Sequence, residues 1–218
     1  ISKVAVLTGN TGFGKAGKKQ IELIAPQYGI ELAASEVYDK KATDLSAVVA
    51  KIKANKDVQA VINWSIVPAQ SIIAKNIRQA GWEIPLFQSH GFANIKYVKA
   101  AGMAAEGIIF PASRLIVAES LPEGKKKDFL MAYKSSYEKR FGEDASTFGG
   151  HSYDAAMLLA QAIASAGLDR QKVRDALENI RGYFGTAGEF NMSSTDHSGL
   201  TIDAFTMITV KDGRFMPL

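Results

Sequence analysis

The chain has 218 residues, is 47% hydrophobic and carries a formal net charge of +4. That apolar share suits one large core or two modest ones, and no apolar run approaches the roughly 18 residues that a membrane helix needs. The absence of Cys excludes disulfides, thiolate metal sites and a Cys nucleophile together. A Cys-free chain also suits an oxidising compartment. The charge is scattered except at Lys125, Lys126 and Lys127, which read as a solvated helix start, so no nucleic-acid partner is expected. The chain opens at Ile1 without a Lys-led apolar segment, so no signal peptide is expected within it.

Residues 4–7 are an apolar run of buried-strand type. Residues 14–28 follow with Ile21, Ile24, Ala25 and Tyr28 at helical spacing, and Gly29 ends them. Residues 30–38 read as a second strand. Thr43 or Asp44 can cap a helix that carries Leu45, Val48, Val49 and Ile52 on one face. Residues 58–64 form a third strand. Pro68 suits a first helical turn, with Ile72, Ile73 and Ile77 as its inner stripe and Gly81 after it. A strand at 85–88, a short helix at 94–101 and a strand at 107–110 complete the series. Strands alternating with helices of this length imply βαβ crossovers, hence an α/β fold with a doubly wound parallel sheet.

The alternation then stops. Residues 125–141, 148–166 and 169–180 read as three helices, with Phe129, Tyr133, Leu158, Leu159, Ile163, Val173 and Leu177 on their inner faces. Residues 142–147 and 182–188 read as loops. Residues 204–210 and 215–217 form a hairpin turned at Asp212-Gly213.

Two nucleotide motifs nearly fit. Residues 12–17 spell GxGxxG, and residues 9–16 spell GxxxxGK followed by Ala. A P-loop needs a hydroxyl after the Lys, which Ala16 lacks, and Gly12 lies several residues beyond the strand end at Leu7. A tight βα turn is the preferred reading. His90, His151 and His197 have no ligand spacing, so no metal is expected. No GxSxG elbow exists, and Ser152 and Asp154 merely flank Tyr153. No catalytic residues and no cofactor are assigned.

The run KVAVLTGNTGFGKAG resembles the opening of the second lobe in type I periplasmic solute-binding proteins of ABC transporters, of the branched-chain amino acid-binding kind. The likeness continues through DLSAVVAKIKANKDVQAVI, IRQAGWEIPLF, AAEGIIF and GHSYDAAMLLAQAI to ITVKDGRFMPL. It implies that residues 1–112 form lobe two, that 116–184 are helices returning to lobe one, and that 185–218 cross back and end as a hairpin on lobe two. It implies too that the strands of lobe one lie outside this chain. The apolar stripes of the helices must then pack on each other, on an N-terminal segment, or on a second copy in a homodimer through 123–180. Packing on each other is the least expected of the three.

Open α/β sheets bind ligands beyond the carboxyl ends of their strands. Those ends are Asn10, Thr11 and Phe13; Trp64, Ser65 and Ile66; and Ser89 and His90. By the resemblance, Phe13 matches a ligand-facing aromatic. Ile66 or its neighbour matches a second aromatic that is lacking here, a place Trp64 could fill. His90 falls where amino-acid binders place an acid against the ligand's ammonium. Phe148 and His151 are weaker candidates near the lobe crossing. The function implied is the substrate-binding component of an ABC importer, not an enzyme. It would capture a small organic solute (amino acid, keto acid or aromatic carboxylate) between two lobes for an inner-membrane permease. The expected location is periplasmic or extracellular. The rivals are a nucleotide- or phosphate-using enzyme built on Gly9–Gly17 and a ligand-sensing regulatory domain.

Overall fold

The computed structural model describes residues 1–218, which gather into two units. The first comprises Ile1–Pro111 rejoined by Met207–Met216, and the second Ala112–Thr206.

In the first unit β1(Lys3–Gly9), β2(Glu31–Tyr38), β3(Ala60–Trp64), β4(Leu86–Gln88) and β5(Ile109–Ala112) alternate with helices. These are α1(Gly12–Ile24), α2(Ser46–Ala54), α3(Ala69–Gln79) and α4(Ile95–Ala101). With β8(Thr206–Lys211) and β9(Arg214–Pro217) they form a seven-stranded sheet of order β2-β1-β3-β4-β5-β8-β9. The pairings β1–β2, β1–β3, β3–β4 and β4–β5 are all parallel. Val4, Ala5, Val6 and Leu7 are buried without alternation, as a strand covered on both faces requires. On one face Val4, Val6 and Ala60 pack with Ile21, Ile30, Leu32, Ile62 and Phe87. Ile52, Ile73, Ile77, Leu86, Phe92 and Phe110 are also fully buried.

Local chemistry sets the ends of these elements. Thr11 caps α1, its Oγ1 accepting the Gly14 N–H at 3.0 Å. The sequence predicts one helix to Tyr28, but the last turn, Ala25–Tyr28, narrows to 3-10 geometry. Pro26 has no N–H to continue the α-helical bonding, and Gly29 closes the turn at φ 66°. Asp44 accepts the Ser46 N–H at 2.9 Å, and α2 starts there. The Asp212-Gly213 turn has φ of 52° and 68°, the pair of left-handed residues that a two-residue type I′ hairpin needs. Glu106 pins the turn, accepting from the Asp212 and Gly213 N–H groups at 2.9 and 2.7 Å.

In the second unit α5(Lys125–Phe141), α6(Thr147–Ala166) and α7(Arg170–Glu178) accompany a short hairpin of β6(Tyr183–Phe184) and β7(Glu189–Phe190). Within the loop expected at 182–188, Tyr183–Phe184 form a strand, and residues 185–188 are the turn of the hairpin. Its antiparallel strands are two residues each, too short for an alternation to register in sequence. Residues 185–206 likewise fold with the helices, and the chain rejoins the sheet from about residue 207.

Part of the helical stripes packs within its own unit. Leu158, Ile180, Ala187 and Phe190 form a buried cluster that Leu177, Tyr183, Met192 and Leu200 flank. Leu130 joins Leu115 and Ala118, with Phe129 and Tyr133 against them. The hairpin supplies much of this cover, and it was not foreseen as structure. Leu159, expected on the inner face, is 44% exposed, with Met157 and Phe148 also outward. No helix is long and apolar enough to cross a membrane.

Asp154 ties α6 to the hairpin. It is 1% exposed, and its carboxylate accepts from the Thr186 N–H at 2.7 Å, the Thr186 hydroxyl at 2.9 Å and the Ala187 N–H at 2.8 Å. Hydrogen bonds to a charged group contribute about 1.5–3 kcal/mol each, and orphaned buried donors add a further cost. Asp154→Ala should therefore destabilise the protein by about 3 kcal/mol or more, read as a lower calorimetric midpoint. Ser152→Ala, at an exposed position of the same helix, should leave the midpoint nearly unchanged.

Candidate functional site

The carboxyl ends of β1, β3 and β4 bring three rings together. Phe13, in the first turn of α1, stacks on Trp64 with centroids 5.7 Å apart and planes at 15°. His90 lies nearly perpendicular to both, at 5.3 Å from Phe13 and 5.8 Å from Trp64, with interplanar angles of 80°. These separations lie within the range of favourable aromatic pairs. All three side chains are half-buried, so the cluster offers part of its surface to solvent.

The loops that carry the rings are tied to each other. Ser89 Oγ donates to the Ser65 carbonyl at 2.6 Å and accepts the Gly91 N–H at 3.2 Å. The Tyr97 hydroxyl donates to the Ile66 carbonyl at 3.2 Å, leaving the Ile66 side chain 37% exposed beside the rings' loop. On the other side, Asn10 Nδ2 donates to Asp39 at 3.1 Å and Asn10 Oδ1 accepts the Lys40 N–H at 2.8 Å. The Lys41 N–H, then the Asn10 amide, hold the Asp39 carboxyl below its ordinary range.

Beneath the rings runs a chain of buried amides that sequence reading missed. The Tyr38 hydroxyl donates to Asn63 Oδ1 at 2.9 Å, and Asn63 Nδ2 donates to Gln88 Oε1 at 2.8 Å. Gln88 Nε2 donates to the Gln70 carbonyl at 3.2 Å, and Gln70 Nε2 to the Gly91 carbonyl at 3.3 Å. Burial pushes the Tyr38 phenol up, against hydrogen bonds with Ser65 and Asn63 that lower it, so it acts as a neutral donor. Asn63 and Gln88, polar residues closing otherwise apolar strand runs, were the available signal.

The residues grouped from sequence fall in two units. Asn10, Thr11, Phe13, Trp64, Ser65, Ile66, Ser89 and His90 lie at the carboxyl ends of β1, β3 and β4 in the first. Phe148 and His151 lie on α6 in the second, both exposed.

The glycines of the α1 loop serve packing. A Cβ at Gly14 would lie 2.0 Å from the Gly9 carbonyl oxygen, so the helix touches the strand end backbone to backbone. The Gly14 N–H is already taken by Thr11. Both features use the loop internally, which weighs against a phosphate cradle. The described residues also contain no group of three or more His, Asp or Glu placed to hold a metal.

Two outcomes follow. Gly14→Ala must displace backbone and should cost about 1–3 kcal/mol in chemical denaturation, whereas Gly12→Ala, with nothing within 4 Å, should be nearly neutral. The lowered Asp39 carboxyl stabilises the Asn10 loop above its unfolded pKa, and that contribution is lost as pH falls through the folded value. An NMR titration of the Asn10 side-chain amide should show its inflection below the ordinary carboxylate range.

Comparison with known proteins supplies the wider frame. A family model described as "Periplasmic binding protein" matches residues 1–214. The leucine-, isoleucine-, valine-, threonine- and alanine-binding protein of Pseudomonas aeruginosa is 25% identical over 175 residues, 80% of this chain and 44% of that protein. An extracellular ligand-binding receptor from Rhodopseudomonas palustris HaA2 superposes with a TM-score of 0.91 at 26% identity, over 100% of this chain and 63% of the receptor. The branched-chain amino acid transporter substrate-binding protein of Streptococcus pneumoniae, solved with isoleucine, gives a TM-score of 0.81 at 24% identity over 98% of this chain and 58% of that one. The chain thus spans under half the length of the curated relative and less than two thirds of these structures. With the family model matched over nearly its whole length, the chain belongs to the periplasmic binding protein family.

Proposed function

We propose that this chain is the solute-capturing part of a substrate-binding protein for an ABC importer, acting in the periplasm or at the cell exterior and delivering its solute to a membrane permease. The observation that carries the reading is the Phe13–Trp64–His90 face at the carboxyl ends of β1, β3 and β4. That is where open parallel sheets place ligands. Membership of a family of binding proteins agrees with it.

The chemistry of the face favours one solute class. Residues 9–13, 64–67 and 89–91 contain no acidic side chain, while His90 brings a ring that can donate a hydrogen bond. An α-amino acid needs an anionic partner for its ammonium, because a buried unpaired charge is costly. A carboxylate without an ammonium needs only donors. The two stacked rings present a flat apolar wall. An aromatic carboxylate or an aromatic keto acid fits these walls, with its acid group toward His90. An amino acid would require an anion from outside these loops.

Calorimetric titration with phenylpyruvate and with leucine separates the two. Phenylpyruvate should bind more tightly, and His90→Ala should weaken it about tenfold, the equivalent of one charge-assisted hydrogen bond. Tight leucine binding that survives His90→Ala would overturn the assignment.

A further inference from the structure

Trp64 is held by shape and by nothing polar. Its indole N–H is buried and meets no acceptor. One side of the ring stacks on Phe13, and His90 meets it at a nearly perpendicular angle. Against α1 it rests on the bare backbone of Gly17. A Cβ there would lie 2.0 Å from Trp64 Nε1, 2.1 Å from Cδ1 and 2.6 Å from Cε2. Phe13 and Gly17 are four residues apart on α1 and so share a face of the helix. The indole occupies the notch that this spacing opens.

We propose that Gly17 is a positioning residue that sets the depth of the solute seat by letting the Trp64 ring sink onto α1. This rests on the reading of the Phe13–Trp64–His90 face as the seat. Any side chain at residue 17 meets the rigid five-membered part of the indole, not a flexible tip. To restore ordinary contact the ring must retreat by about 1.4 Å. The retreat, away from α1, shifts the ring against Phe13 and His90 and makes the seat shallower. Planar ring-bearing carboxylates lose most, since they use the full depth of the stacked wall, while narrow aliphatic solutes lose less. Gly17 thereby selects for planar solutes without touching them.

The test compares the unmodified protein with Gly17→Ala, Trp64→Phe and the double variant. The Trp64 indole N–H resonance, assigned by its loss in Trp64→Phe, reports ring position in the absence of any solute. It should shift in Gly17→Ala, because the ring moves relative to Phe13. Phenylpyruvate affinity should fall tenfold or more, as a single methyl group in a fitted pocket can cause. The thermal midpoint lost in Gly17→Ala should be largely regained in the double variant, where the smaller ring relieves the clash. An unmoved indole resonance, equal phenylpyruvate affinity in Gly17→Ala, or additive losses in the double variant would each overturn the proposal. Failure of the unmodified protein to bind phenylpyruvate while it binds leucine would instead overturn the planar-carboxylate seat, and the resonance would still report the ring.

Discussion

The site depends on one close approach, that of the first two turns of α1 to the ends of β1 and β3. Gly14 lies directly against the Gly9 carbonyl, and Gly17 against the Trp64 indole. Both contacts are shorter than any side chain permits. Because the helix sits this low, Thr11 can cap it and Phe13 emerges level with the end of β3. A higher helix would separate Phe13 from Trp64 and leave His90 without two rings to meet. The glycines that resembled a phosphate loop are therefore better explained as the means by which an apolar wall is assembled.

A second constraint operates beneath that wall. Parallel strands end in carbonyls and amides that need partners when buried. Here Tyr38, Asn63, Gln88 and Gln70 form a continuous hydrogen-bonded line, and Ser89 and Ser65 add a cross-link above it. Such a network is costly when broken and rigid when complete. It ties the ends of β3 and β4 to α3 and to the Gly91 carbonyl, with Gln70 Oε1 left buried and unpartnered. Cross-linking of this kind suits a binding surface, whose affinity suffers when its walls must first be ordered.

The order of strands and helices was legible from residue 3 to 112, because Val4–Leu7 and its counterparts show no alternation and the helices between them carry apolar stripes. The ring cluster was legible as three loops, since the strand ends locate it. Its geometry was not. No sequence pattern states that Gly17 lies under Trp64, a contact between a helix face and the end of a strand 47 positions away. The amide line escaped for the same reason, since its members come from four separate elements. The β6–β7 hairpin escaped because two-residue strands carry no period, and with it went the true role of Asp154.

The claim at the centre is that a solute rests on the stacked rings. A crystal structure of the protein grown with phenylpyruvate tests it most directly. The account predicts the phenyl ring against Trp64 and Phe13, the carboxylate within hydrogen-bonding distance of His90, and Trp64 still seated on Gly17. Phenylpyruvate ordered elsewhere on the protein, with the face of the Phe13–Trp64–His90 cluster left uncovered, would contradict it.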